Sequence, residues 1–277
     1  MMQYETSTNG AVLRAGGADD PRCRVLCLPG GLCTAPFYDD LLATPALAAR
    51  GVRAIATTVP GFGGVPFPAG FDASPEAHAA HAGNLARDLG CDAVVGHSFG
   101  ANIALEMVAG GHFDGPLILL APTFSAEDEM KGLATFNRIG YVPGLRALVT
   151  ALMFRSFPKL LEGGVPADRV APLAAEMASS DRADIRTNLR RWYEYVNRYG
   201  TLAGRLCRSG VQAEVVFGED DEVGLTAAER SALESCPTTR LHSVPDCGHM
   251  LMIQKPEWVA ELIVDAVTAA PPTATNQ

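Results

Sequence analysis

The sequence predicts an α/β fold with a mostly parallel central sheet, helices on both faces of the sheet and an inserted helical cap. Short apolar runs alternate with helix-length segments along most of the 277 residues, and 48% of the residues are hydrophobic, enough for a large core. One long interval lacks strand-like runs. The alternation indicates parallel strands, because a parallel crossover needs about a dozen residues and is usually helical.

The predicted elements begin with a hairpin at the edge of the sheet. Tyr4–Arg14 contains two short strands around Asn9 and Gly10, a pair that tight hairpin turns favour because both residues tolerate positive φ. Six apolar runs are the predicted strands that follow: Arg24–Leu28, Val52–Thr57, Asp92–Val95, Pro116–Leu120, Glu214–Phe217 and Leu241–Val244. The predicted helices between and after them are Tyr38–Ala49, Pro75–Leu89, Ala101–Ala109, Thr226–Leu233 and Glu257–Ala269.

The interval from Pro122 to Arg208 interrupts this alternation and is rich in Leu, Ala, Met, Arg and Tyr, which indicates helices. Within it, Ile185–Tyr199 has a helical spacing of large side chains on one broad face. These side chains are Leu189, Trp192, Tyr193, Val196 and Tyr199. The interval therefore predicts a helical cap inserted between two strands.

The predicted domain organisation follows from this insertion. Residues 1–121 and 209–270 form the core domain, and residues 122–208 form the cap. Residues 271–277 are predicted to be a disordered tail, since they are of low complexity and terminal.

Composition and charge exclude several classes of protein. The 22 Lys and Arg residues are outnumbered by 31 Asp and Glu, and the net charge of −9 disfavours nucleic acid as a partner. No apolar run reaches the roughly 18 residues of a membrane helix, so we expect a soluble, cytoplasmic protein without a membrane partner. The seven cysteines are odd in number and lack zinc-type spacing, which indicates reduced thiols and no metal site.

A nucleophile is predicted at Ser98. The segment Gly96–Gly100 follows the apolar run Ala93–Val95 and precedes the helix Ala101–Ala109. Glycines two residues on either side of Ser98 remove Cβ atoms that would clash in a very tight turn from strand to helix. Such a turn holds the serine hydroxyl out at the carboxyl end of the sheet.

A serine hydroxyl needs a neighbouring base to become a nucleophile. Of the six histidines, His249 alone lies in a loop that follows the last apolar run and precedes the terminal helix. That loop opens at the sheet edge towards which Ser98 points, so His249 is the predicted base. The other five histidines are expected to be packed or solvated.

The base in turn needs an orienting carboxylate. The loop Gly218–Asp221 follows the strand run that ends at Phe217 and precedes His249 in the chain. Asp221 is the predicted acid and Asp220 the nearest alternative. A second candidate location is the acidic stretch Glu127–Glu129, which we expect to lead into the cap.

Hydrolysis also requires hydrogen-bond donors for an oxyanion. The backbone N–H of Phe99, directly after the nucleophile, is one predicted donor. The glycine-rich turn Pro29–Leu32 follows the first parallel strand and can aim a second N–H inwards, from either Leu32 or Gly31.

Together these motifs resemble the α/β-hydrolase superfamily, and the resemblance runs from Tyr4 to the terminal helix. Four segments carry it: the nucleophile elbow Gly96–Gly100, the Gly-x-x-Asp loop Gly218–Asp221, the Gly-His loop Gly248–His249, and Pro60–Gly63, similar to the family's Asp-x-Pro-Gly-x-Gly turn. Two positions depart from the family pattern: Pro29 replaces a His before the oxyanion glycine, and Thr58 replaces the Asp of the Pro-Gly turn. The resemblance implies no metal and no organic cofactor.

The residues around the predicted triad narrow the expected activity. Ser98 argues against epoxide hydrolases and dehalogenases, which use Asp at the elbow, and Met250 follows His249 where carbon–carbon hydrolases commonly have Trp. We therefore expect hydrolysis of a small to medium apolar carboxylic ester. The alternatives are a thioesterase, an iminopeptidase, a carbon–carbon bond hydrolase or a non-catalytic small-ligand receptor. The predicted substrate-binding residues, for which core packing is the alternative role, are Met250, Met252, Trp192, Tyr193 and Tyr199.

Overall fold

The computed structural model describes residues 3–6, 12–127 and 146–269 of the chain. Within these ranges eight strands form one sheet in the order β1-β2-β4-β3-β5-β6-β7-β8. The strands are β1 (Gln3–Thr6), β2 (Val12–Gly17), β3 (Cys23–Leu28), β4 (Val52–Thr57), β5 (Ala93–His97), β6 (Leu117–Leu120), β7 (Ala213–Gly218) and β8 (Thr239–Val244). All six predicted parallel strands are thus confirmed.

The edge of the sheet is antiparallel, as predicted. β1 pairs antiparallel with β2, with Thr6 opposite Val12, and β2 pairs antiparallel with β4. The turn predicted at Asn9 and Gly10 lies outside the described residues. From β3 to β8 every neighbouring pair is parallel, so the carboxyl ends of these strands meet at one edge of the sheet.

The helices cover both faces of the sheet. They are α1 (Asp39–Leu42), α2 (Pro45–Ala49), α3 (Pro75–Asp88), α4 (Phe99–Ala109), α5 (Arg146–Leu161), α6 (Ala167–Ala178), α7 (Arg182–Tyr199), α8 (Ala203–Ser209), α9 (Ala227–Glu234), α10 (Leu251–Gln254) and α11 (Pro256–Ala269). Every residue of β4, β5, β6 and β7 is buried, as a parallel strand packed on both faces should be. None of the helices in the described ranges is long and apolar enough to cross a bilayer.

The helix predicted over Tyr38–Ala49 is broken in two. A 3₁₀ turn at Ala35–Tyr38 leads into α1, and Thr44 between α1 and α2 has an extended backbone with ψ of 133°. The cause is Pro45, because proline disfavours the helical conformation in the residue before it.

A long insert separates β6 from β7, although the two strands are neighbours in the sheet. We call residues 121–212 the insert; its residues 146–209 are mostly helical, from α5 to α8, and residues 128–145 lie outside the description. The helix predicted from Ile185 begins three residues earlier, because the side chain of Asp181 accepts hydrogen bonds from the N–H groups of Ala183 and Asp184. α8 packs against α4, which joins the insert to the core.

Candidate active site

Ser98 forms a strained turn between β5 and α4, with φ of 49° and ψ of −116°. A non-glycine residue in such a conformation costs about 1 to 3 kcal/mol and persists only where its surroundings enforce it. A Cβ atom at Gly96 would overlap the carbonyl oxygen of Gly100, and one at Gly100 would overlap the carbonyl oxygen of Leu28. The two glycines are therefore required by close backbone approach, and the partly exposed Ser98 side chain stands at the carboxyl end of β5.

His249 and Asp221 form a pair at the same edge of the sheet. The Nδ1 atom of His249 lies 2.9 Å from Oδ2 and 3.1 Å from Oδ1 of Asp221, whose side chain is only 1% exposed. Oδ1 also accepts a hydrogen bond from the N–H of Val223 at 2.9 Å. With the proton of a neutral ring on Nδ1, Nε2 is left as the acceptor. The alternative acid, Asp220, is exposed and does not pair with His249.

Backbone contacts hold the loops of these two residues together. The N–H of Asp220 donates to the carbonyl oxygen of Cys247 at 2.9 Å, and the N–H of Glu219 donates to that of Val244 at 3.0 Å. A Cβ atom at Gly218 would overlap the Cys247 carbonyl, so this position requires glycine. The Gly-x-x-Asp and Gly-His motifs thus meet because the main chains that carry them pack directly against each other.

The turn after β3 lies against the elbow. A Cβ atom added to Gly30 would be 3.2 Å from Cβ of Ser98, and one added to Gly31 would be 3.7 Å from Cβ of Phe99. Leu32 adopts the left-handed conformation with φ of 67°. Phe99 is the first residue of α4, where backbone N–H groups have no acceptor within the helix. The structure therefore brings the turn at Gly30 and Gly31 against Ser98 and Phe99, and leaves Phe99, Gly31 and Leu32 as candidate donors.

Two contacts of the His249 loop were not foreseen from the sequence. His97 is fully buried and its Nε2 atom lies 2.9 Å from the carbonyl oxygen of His249. Gln254 accepts a hydrogen bond from the N–H of Gly248 at 2.7 Å through Oε1. The only local signal for His97 was its place beside Ser98, since its partner is 152 residues away in the chain.

The Pro60–Gly63 turn connects the core to the insert. The N–H of Gly63 donates to Oγ of Ser180 at 2.8 Å, and Nδ2 of Asn188 donates to the carbonyl oxygen of Pro60 at 3.0 Å. Thr58, which replaces the family's usual Asp, accepts a hydrogen bond from the N–H of Ala35 at 3.0 Å. This departure therefore keeps a side-chain acceptor at the position.

The predicted substrate-binding methionines differ in position. Met250 is partly buried and its Cγ would be 3.7 Å from a Cβ atom at Gly164, in the turn between α5 and α6. Met252 is 0% exposed, so the structure gives it a packing role and no pocket surface. Of the two, only Met250 lies between the His249 loop and the insert.

The three predicted aromatic residues of α7 lie in different surroundings. Trp192 is buried and donates from Nε1 to Oδ1 of Asn102 at 3.0 Å, so it fastens α7 to α4. Tyr193 packs edge-on against Trp192, with ring centroids 4.9 Å apart. Tyr199 lies under Arg205 and lines a cavity of about 510 Å³ whose lining includes none of Ser98, Asp221 and His249. The cavity that Tyr199 lines does not include the predicted triad residues, whereas Trp192 contacts Asn102, one turn of α4 after Ser98.

The arrangement supplies the groups of nucleophilic acyl chemistry: a hydroxyl on an elbow, an imidazole oriented by a buried carboxylate, and backbone N–H groups beside the hydroxyl. Within residues 3–6, 12–127 and 146–269, no three His, Cys, Asp or Glu side chains are grouped to hold a metal ion. All seven cysteines are free.

Comparison with known proteins agrees with this architecture. The sequence model of the alpha/beta hydrolase family matches residues 25–262. No curated protein matches the chain in sequence. Many solved structures are similar, and three of them show the extent of the likeness.

An esterase from Exiguobacterium antarcticum is 16% identical, with a TM-score of 0.71 and coverage of 97% of this chain and 100% of that one. A hydrolase from Oleispira antarctica is 15% identical, with a TM-score of 0.71 and coverage of 93% and 94%. The thioesterase domain of the curacin biosynthetic pathway is 18% identical, with a TM-score of 0.67 and coverage of 95% and 99%. These likenesses concern the fold, whereas the family match covers most of the sequence. The chain belongs to the alpha/beta hydrolase family.

Proposed function

We propose that the protein is a serine hydrolase that cleaves a small to medium apolar carboxylic ester through an acyl-enzyme intermediate. Ser98 is the nucleophile, His249 the general base and Asp221 the carboxylate that orients it. The observation that carries the proposal is the pair of His249 and the buried Asp221, 2.9 Å apart, at the sheet edge where the elbow presents Ser98.

The proposed reaction follows from these groups. Oγ of Ser98 attacks the ester carbonyl while its proton passes to Nε2 of His249, and Asp221 stabilises the imidazolium that forms. The oxyanion accepts hydrogen bonds from the N–H of Phe99 and from Gly31 or Leu32. Collapse of this intermediate expels the alcohol, which takes the proton from His249, and water then releases the acid from Ser98 by the same steps.

The insert acts as a cap over the non-reacting part of the ester. Two contacts support this role: Nε2 of Gln254 donates to the carbonyl oxygen of Gly163 at 3.4 Å, and Met250 lies beside Gly164. The turn between α5 and α6 therefore reaches the loop of His249. An apolar side chain at Met250 suits an apolar acyl or alcohol group, since it gains by burial without needing a polar partner.

An ester is favoured over an amide as the first substrate class to test. The esterase and the thioesterase domain with similar folds act, by their names, on carbonyl groups with an alcohol or thiol leaving group. A thioester is the second candidate, because the same steps expel a thiolate.

The nucleophile is tested by labelling the intact protein with a fluorophosphonate and by replacing Ser98 with Ala. We expect the adduct on Ser98, and we expect Ser98→Ala to lower turnover by about four orders of magnitude or more. The matched control is Ser235→Ala, an exposed serine at the end of α9, which should keep full activity. An active Ser98→Ala protein would contradict the mechanism.

The substrate class is tested with p-nitrophenyl esters of graded chain length beside thioesters and aminoacyl arylamides. The ester series should give the highest kcat/KM values. Saturable binding of these compounds with no turnover and no labelling would instead indicate a receptor on the same fold.

A further inference from the structure

His97 connects the elbow to the loop of the proposed base. Its ring is fully buried, and Nε2 lies 2.9 Å from the carbonyl oxygen of His249. A carbonyl oxygen only accepts hydrogen bonds, so Nε2 of His97 must be the donor. The two imidazole rings are 4.7 Å apart between centroids and tilted by 58°.

The surroundings of Nδ1, the other ring nitrogen of His97, disfavour a second proton on the ring and so keep it neutral. Nδ1 is buried and has no hydrogen-bond partner in the described part of the chain, and a Cβ atom at Gly30 would be 2.7 Å from it. A proton there would be a buried donor without an acceptor, which is costly. Burial, together with the nearby charge of His249, holds the pKa of His97 well below its ordinary range.

The sheet connects the two loops only through intervening strands. Ser98 follows β5 and His249 follows β8, and β6 and β7 lie between these strands. The strands that precede the nucleophile and the base are therefore not paired with each other, and the sheet links them only through three successive ladders. The contact from His97 bridges this gap directly, while Gln254 holds the adjacent Gly248 from the other side.

We propose that His97 is a positioning residue that fixes the main chain of His249 relative to Ser98. This inference rests on the proposed triad. His97 is covalently joined to Ser98, so its hydrogen bond ties the base to the nucleophile's own strand. A base misplaced by about 1 Å can lower the rate of the chemical step by about a hundredfold, so the loss of this bond should lower reactivity with little effect on substrate binding.

Two substitutions separate positioning from packing. His97→Phe keeps a planar ring but removes the donor, whereas His97→Gln keeps an N–H donor at the end of a side chain of similar reach. The readout is the second-order rate at which a fluorophosphonate labels Ser98 in the full chain. We expect His97→Phe to slow labelling about ten- to hundredfold and His97→Gln to stay within about fivefold of the wild type. On an ester that the wild type hydrolyses, kcat should fall while KM changes little.

A control for lost stability is Ile263→Ala, which removes a fully buried side chain in α11 away from the site and should keep the wild-type labelling rate. If the wild type is not labelled at all, the proposed function fails. If the wild type is labelled but His97→Phe reacts equally fast, or His97→Gln is as slow as His97→Phe, the positioning role is overturned.

A measurement on the wild type covers the case in which His97→Phe does not fold. In ¹⁵N-histidine NMR of the intact protein, His97 should carry its proton on Nε2 at neutral pH. A proton on Nδ1 would overturn the proposal, because Nε2 could then not donate to His249.

Discussion

The elbow at Ser98 and helix α7 of the insert are held in place by different kinds of contact. The elbow depends on backbone geometry within a few residues, since Gly96 and Gly100 allow main chains to touch where any side chain would overlap them. Helix α7 depends on side-chain hydrogen bonds to residues far away in the chain. These buried contacts with α3 and α4 are Asn188 with His78 at 2.9 Å, Trp192 with Asn102 at 3.0 Å and Tyr195 with Glu106 at 2.9 Å.

Because of this difference, we expect one set of residues to control reactivity and another to hold the insert on the core. Changes at Ser98 and His249 should alter reactivity and leave the fold intact, because both side chains are partly exposed. Changes along the buried face of α7 should alter stability first, because each removes a partner from a polar group that has no access to water. The four predictions below test this separation.

The largest effect is expected within the acid loop. Asp221→Asn removes the charge that orients His249 and stabilises its imidazolium, and should lower kcat by about 10³- to 10⁴-fold. Asp220→Asn is the matched control, since Asp220 is exposed and should stay within about twofold of the wild type. Neither change should shift the thermal unfolding temperature strongly. If Asp220→Asn were the more damaging of the two, the carboxylate would be wrongly assigned.

The next effect concerns the attachment of the insert. Glu106 is 4% exposed, accepts from the hydroxyl of Tyr195, and pairs with the 22% exposed Arg205. Glu106→Ala leaves both partners without an acceptor and should lower the free energy of unfolding by about 3 kcal/mol.

The control for this change lies on α7, next to Tyr195 in the chain. Glu194 pairs with Arg190 and Arg191 at the surface, and Glu194→Ala should cost less than about 1 kcal/mol. Urea denaturation of both variants gives the comparison. Equal losses would mean that the burial of Glu106 contributes nothing to holding the insert.

The same separation explains what could be predicted from the sequence. The strands and the elbow were recognisable because they depend on neighbours in the chain: alternating apolar runs, and glycines at fixed spacing around Ser98. The break before Pro45 follows a local rule of the same kind. The Gly-x-x-Asp spacing favoured Asp221 over Asp220, but only the structure shows which of the two carboxylates faces His249.

The contacts that sequence reasoning missed join distant segments. The hydrogen bond from His97 to His249 spans 152 residues, and that from Trp192 to Asn102 spans 90. Helical spacing correctly placed Trp192 on one face of α7, but an aromatic face that binds substrate and one that packs against a helix have the same pattern. Only the position of Asn102 distinguishes them.

His78 lies where the two regions meet, against the ring of Phe99 and bonded to Asn188, and it predicts a pH effect on stability. Burial lowers the pKa of His78 from 6.5 to about 4. Between these values the unfolded chain binds a proton that the folded chain does not, so stability falls as the pH falls from 6.5 towards 4. Burial also lowers the pKa of His97, so His97 likewise makes the folded protein less stable as the pH falls.

His78 should account for a loss of about 2 kcal/mol in the free energy of unfolding between pH 7 and pH 5. His78→Gln keeps a donor for Asn188 but does not titrate, so urea denaturation at the two pH values should show a smaller loss of stability in this variant. An unchanged pH dependence would contradict a neutral, buried His78.

The smallest effect tests which part of the insert selects the substrate. Trp192→Phe leaves Oδ1 of Asn102 buried without its donor and should lower the free energy of unfolding by about 1 kcal/mol. Because Trp192 is used for attachment, the ranking of kcat/KM across an ester chain-length series should not change.

Met250→Ala enlarges the space between the His249 loop and Gly164, and should change discrimination between neighbouring chain lengths by about 1 kcal/mol, or fivefold. The opposite result would be a changed ranking of kcat/KM in Trp192→Phe and an unchanged ranking in Met250→Ala. It would mean that α7 selects the substrate, and that attachment and substrate choice are not carried by different residues.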